Sequence, residues 1–132
     1  MKPDILKKLI RLEDSLRKAV RYPIPSDGQW AVLPPARGGV YAIWKGAKAV
    51  YVGETCHLDH RLGDIARFRR HAFWHRLISP KAAAEDLQRY RVSFIAGFLG
   101  RKELEEFLTV RWLGKVPGRL SYCDDIEQIR NA

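Results

Sequence analysis

Gly39-Val40-Tyr41-Ala42-Ile43-Trp44-Lys45-Gly46-Ala47-Lys48-Ala49-Val50-Tyr51-Val52-Gly53 is the stretch from which the rest of the chain can be ordered. Residues 39–44 and 49–52 are rich in β-branched and aromatic side chains, and the link between them carries a turn glycine. That pattern predicts a β-hairpin. Side chains alternate along a strand, so whether Tyr41 and Tyr51 share a face depends on register. Pairing Tyr41 opposite Tyr51 brings the rings together, whereas a slip of one residue pairs Tyr41 with Val52 and separates them. The first register is the expected one.

Working outward, a helix is predicted from about residue 58 to 68, with an extension toward 77. Pro80 and the run 82–87 then suggest a break and a short helix. Residues 89–96, Arg-Tyr-Arg-Val-Ser-Phe-Ile-Ala, suit a third strand. A last helix spans about 101–113 and is stopped by Gly114 and Pro117, after which the tail is weakly patterned. Upstream, Ile5, Leu6, Leu9, Ile10, Leu12, Leu16 and Val20 fall at amphipathic helical spacing. Pro23, Pro25, Pro34 and Pro35 then make 22–38 an extended connector. The expected fold is α+β: a small antiparallel sheet of three strands flanked by helices, with an extra N-terminal helix. Residues 1–37 form that helix and connector, 38–115 the core, and 116–132 a tail.

The chain has 132 residues and 46% apolar content, enough for one core and too apolar for wholesale disorder. No apolar run approaches the ~18 residues of a membrane span, and Met1–Lys8 lacks the apolar segment of a secretory signal. Cys56 and Cys123 have no framework-like or metal-like spacing, so the reducing cytoplasm is the expected compartment. Twenty-four Lys and Arg against fifteen Asp and Glu leave a formal charge of +9. A surface this basic attracts polyanions, nucleic acid first among them, although charge alone could serve only solubility.

Gly39-Val40-Tyr41 and Tyr51-Val52-Gly53, each unremarkable alone, together resemble the paired signature of the GIY-YIG nucleases. Leu58 and Arg61 are similar to the leucine and essential arginine that follow on that family's next helix. Leu104-Glu105-Glu106-Phe107-Leu108 resembles the segment carrying its metal-binding glutamate. The resemblance covers roughly residues 38–115 and implies a phosphodiester hydrolase acting on DNA, with RNA equally compatible. It implies Mg²⁺ or Mn²⁺ held by Glu105, a phosphate clamp in Arg61, and water activation by Tyr41, with Tyr51 positioning the water or exchanging roles. Helical geometry agrees for two of these residues. Arg61 falls on an apolar stripe with Ile65 and Phe68, where a guanidinium is costly unless it meets an anion, an internal carboxylate being the bland alternative. Glu105 lies at the border of the apolar face of its helix, and Glu106 points nearly opposite, as a plain surface charge would.

Three positions depart from the family pattern. Ile65 replaces an expected polar residue one turn after the arginine, Glu54 brings negative charge close to the phosphate site, and Pro117-Gly118-Arg119-Leu120 lacks the usual ending. Arg67, Arg69, Arg70, His71 and Arg76 interleave with Phe68, Phe73 and Trp74, a mixture suited to phosphate pairing and base stacking. His71 and His75 have the spacing of a helical zinc pair, but solvated, phosphate-facing histidines are the preferred reading. His60 and His71, ~16 Å apart on a continuous helix, could not share an ion. With no second DNA-binding domain in the sequence, tight specificity would require a homodimer or a protein partner. The competing class is a catalytically inactive nucleic-acid-binding or partner-docking module of the same fold.

Overall fold

The computed structural model describes residues 1–67, 87–115 and 120–132. Helix α1 spans Pro3–Lys18, opening on a proline whose missing N–H costs a first turn nothing. Strands β1 (Tyr22–Pro23), β2 (Gly39–Lys45) and β3 (Lys48–Thr55) precede helix α2 (Leu58–Ala66). After a 3₁₀ turn at Leu87–Arg89 come β4 (Tyr90–Ala96) and two further helices, α3 (Arg101–Leu113) and α4 (Ile126–Asn131). The architecture is therefore α+β, with an antiparallel sheet in the order β1-β4-β2-β3. The fourth strand corrects the three-strand expectation: Tyr22 and Pro23, placed in the connector, pair with Val92 and Arg91. Proline is tolerated there because β1 is an edge, where one row of backbone donors has no ladder to join.

Both faces of β2 are covered, and its alternation sorts the core in two. Val40, Ala42 and Trp44 join Leu9, Leu16, Leu104, Phe107 and Leu108 beneath α1 and α3. Tyr41 and Ile43 pack with Leu58, Leu62 and Ile65 of α2 on the other face. On α3, Gly114 adopts the left-handed conformation (φ 65°) and closes the helix where the sequence predicts a stop. Helix α4 was not anticipated in the weakly patterned tail. Its signal is Asp125, whose carboxylate accepts from the backbone N–H groups of Glu127 and Gln128.

The hairpin register also differs from expectation. Tyr41 lies opposite Gly53 and Ile43 opposite Tyr51, two residues away from the Tyr41–Tyr51 pairing. That pairing would leave Gly46 alone between Lys45 and Ala47, shorter than the two-residue loop a hairpin normally uses. The observed loop is Gly46-Ala47, flanked by the Lys45–Lys48 pair, with Gly46 at φ 61°. Continued without interruption, this register would set Tyr41 against Val52 and split the tyrosines between faces. Instead the ladder passes from Trp44–Ala49 to Ile43–Tyr51, leaving Val50 as a bulge. The extra residue returns both rings to one face.

Candidate active site

Tyr41, Tyr51 and Arg61 meet on the α2 face of the hairpin. The two rings stack with centroids 6.1 Å apart and planes 24° from parallel. Tyr41 lies over Gly53, so closely that a Cβ there would overlap its phenol carbon and oxygen. Gly53 is thus the floor of the site, and this is the physical reason for a glycine at that strand position. Tyr41 is only 1% exposed. Burial, then the neighbouring Tyr51, push its phenol well above the ordinary tyrosine range, against the opposing pull of Arg61. A hydrogen bond between Tyr41 and Tyr51 acts in the same direction as burial.

Arg61 reaches these phenols from α2. That helix starts where it does because the Leu58 N–H donates to the Arg37 carbonyl at 2.9 Å and the Asp59 N–H to the Pro35 carbonyl at 3.1 Å. The proline-rich connector therefore supplies the acceptors that an N-terminus lacks within its own helix. Leu58 is fully buried and packs against Gly39, which has no room for a side chain. The Arg61 side chain is 30% exposed, with Asp64 Oδ2 3.7 Å away. Burial pulls its guanidinium down, but hydrogen bonding to Tyr41 and the surrounding charge outweigh it and leave the group raised. Arg61 is thus a held cation facing solvent over part of its surface.

Glu105 approaches from the opposite side of β3. It is half-buried on α3 and lines one groove together with Glu54, the residue after Gly53. Burial raises the Glu105 carboxyl above its usual range, and the charges of Glu54 and Glu106 add to this, while the Glu54 backbone opposes it. A groove of about 410 Å³ opens along this side, lined by Glu54, Lys102, Glu105, Thr109, Lys115 and Tyr122 among others. The phenols and Arg61 do not line it. The two halves flank the edge strand β3 and are linked through the adjacent residues Gly53 and Glu54. Glu105 belongs to no close set of three His, Cys, Asp or Glu donors among the described residues. A cation there would keep most of its shell as water, which suits Mg²⁺.

Arg101 answers the negative charge of Glu54: its Nε donates to Glu54 Oε2 at 2.8 Å. The sequence places Arg101 only at the start of its helix; the ion pair with Glu54, 47 residues away, depends on the fold and is not legible there. Glu106 corrects another expectation. Its carboxylate is not a bare surface charge but accepts from the backbone N–H groups of Ser121, Tyr122 and Cys123 at 2.7, 3.1 and 2.6 Å, folding that loop onto α3. Arg67 is exposed at the end of α2. Arg69, Arg70, His71 and Arg76, expected to contact nucleic acid, lie outside the described residues, as do Phe68, Phe73, Trp74, His75, Pro117 and the helices anticipated over 68–77 and 82–86. Among the described residues, no helix is long and apolar enough to cross a membrane. Compared with protein-family models, curated proteins and solved structures, the chain matches none of them.

Proposed function

We propose that this chain is a metal-dependent nuclease of the GIY-YIG type that hydrolyses phosphodiester bonds in DNA. The observation that carries the reading is the convergence of Tyr41, Tyr51 and Arg61 over Gly53, with Glu105 meeting the very next residue. Tyr41 is too buried and too reluctant to ionise to take a proton from water, so its proposed role is to position Arg61 and Tyr51. Tyr51 is more exposed than Tyr41 and is hydrogen-bonded to it, so its phenol is held where water can reach it. It orients the attacking water, and a Tyr51 phenolate, its own proton given up to bulk solvent beforehand, takes the proton of that water. Arg61 clamps a nonbridging phosphate oxygen and stabilises the charge that grows there. Glu105 would hold Mg²⁺ or Mn²⁺, which when bound would supply charge stabilisation at the phosphate and the leaving oxygen. The Arg101–Glu54 pair keeps the Glu54 carboxylate from opposing an incoming phosphate.

The test is nicking of supercoiled plasmid by wild type, Arg61→Ala, Glu105→Gln and Tyr51→Phe, in Mg²⁺ or EDTA. Cutting that needs the metal and falls about 100-fold or more in each variant is the expected outcome. Cutting that survives all three substitutions would remove the site from the reaction. The second reading is a binding module without chemistry, and the burial of Tyr41 is what favours it. It predicts no cutting of DNA or of labelled RNA by wild type, with all four proteins retaining nucleic acid equally.

A further inference from the structure

A separate cluster of donor atoms stands at the start of α2. His57, Asp59 and His60 each place one ligand-competent atom within 4.8 Å of the others. His57 is the residue that caps the helix; its backbone is extended (φ −142°, ψ 93°) and its ring makes no capping hydrogen bond. Asp59 and His60 follow in the first turn, and the two imidazole rings lie 5.1 Å apart, tilted by 37°. The backbone beneath them is pinned. Thr55 Oγ1 accepts the His57 N–H at 3.0 Å, and the next two N–H groups donate to the connector carbonyls of Arg37 and Pro35. Both imidazoles are exposed, while Asp59 is half-buried.

We infer that His57, Asp59 and His60 form a surface site for a first-row transition ion of the Zn²⁺ class. Two imidazoles and one carboxylate are borderline nitrogen and oxygen donors, which suit Zn²⁺, Ni²⁺ and Cu²⁺ and are poor for Mg²⁺. Zinc ligands at ~2.0–2.2 Å in a tetrahedral shell sit ~3.3 Å from one another. Rotation of exposed side chains on a fixed backbone closes the remaining gap, and water completes the coordination. Two features oppose binding. The positive end of the helix dipole disfavours a cation, although the Asp59 charge offsets it. Asp59 Oδ1 is also engaged, accepting the His60 N–H at 2.9 Å, which leaves Oδ2, 3.8 Å from His60 Nε2, as the free donor. The affinity is therefore that of an open three-ligand site, well below that of a closed structural one. Arg61 is the next residue, so an ion here adds charge beside the proposed phosphate clamp. The site itself does not depend on the nuclease reading.

The experiment uses the full chain, stripped with chelator, and reads binding rather than cleavage. Zn²⁺ uptake is followed by competition with a chromophoric chelator, and Co²⁺ by its visible d–d absorption. Wild type should bind one Zn²⁺, with affinity falling about tenfold or more in Asp59→Asn and in the His57→Ala/His60→Ala pair. Cys56→Ser and His71→Ala/His75→Ala should bind like wild type, and millimolar Mg²⁺ should not compete. Thermal unfolding in EDTA verifies that each variant folds; should the double variant not fold, the single exchange His57→Gln takes its place. No uptake by wild type at about 100 µM Zn²⁺ would overturn the inference. So would Zn²⁺ binding lost in the His71/His75 variant but kept without His57 and His60.

Discussion

Glu105 sits where its own charge is unwelcome, and that gives the residue a measurable signature. Burial raises its carboxyl, with the neighbouring carboxylates of Glu54 and Glu106 adding to the effect, so the folded chain holds the proton more tightly than the unfolded chain does. Stability from this group is therefore complete below the ordinary value of 4.5 and is lost as pH rises through the higher folded value. At about pH 7 the ionised carboxylate weakens the fold. Glu105→Gln, neutral and of the same shape, should then melt above wild type at neutral pH while losing plasmid cutting. The advantage should vanish in acid, and Mg²⁺ should raise the melting temperature of wild type alone. Equal melting curves at both pH values would contradict this account. At this scale the resemblance singles out Tyr41, Tyr51, Arg61 and Glu105 as candidates, and the structure brings the first three together. The sequence hides the contact of Tyr41 with Gly53, because that depends on register. It also hides the work of Glu106, since a helical wheel contains no loop at 121–123 to be bound.

Among the elements, the hairpin shows how far pattern reading goes. Alternation and the turn glycine reveal both strands, but counting residues does not reveal that one of them, Val50, steps out of the ladder. Deleting Val50 therefore has an unusual expected result. The ladder becomes regular, Tyr51 stays opposite Ile43, and both tyrosines keep to the α2 face. Cross-strand NOEs between Ile43 and Tyr51 should survive the deletion, whereas new ones between Ala42 and Tyr51 would refute the assignment of the bulge. Helix α1 is legible because a long periodic segment declares its period, and α3 because Gly114 and Pro117 mark its stop. Strand β1 is not, because two residues containing a proline have no period and are held in the sheet only by β4. Helix α4, six residues long, is too short for periodicity, and its only local mark is the Asp125 cap.

Across the whole molecule, one buried carboxylate ties the N-terminal helix to the rest. Glu13, its side chain 4% exposed, accepts from Arg111 Nε at 2.7 Å, from Arg111 Nη2 at 3.0 Å and from Trp112 Nε1 at 2.9 Å. Arg111 also donates to the Ile129 carbonyl at 2.9 Å, so the same guanidinium holds α4. The N-terminal helix is thus integrated with the core beyond the apolar face that composition suggests. Arg111→Met, which leaves Glu13 buried without its main partner, should destabilise the fold by about 3 kcal/mol. For a domain of this size that lowers Tm by about 10 °C; a loss under a third of that would show that the pair is worth little.

The sheet has two rims, and they are protected differently. On β1 the rim is short and carries Pro23, which cannot offer a backbone donor to another strand. On β3 the rim is long, and it carries the Val50 bulge and the charged residues Lys48 and Glu54. The bulge is therefore also a guard: a strand from a second copy would meet a break in register at Val50 and could not zip along the whole of β3. Deleting Val50 removes that guard, so the regular hairpin it leaves carries a greater risk of self-association by strand addition.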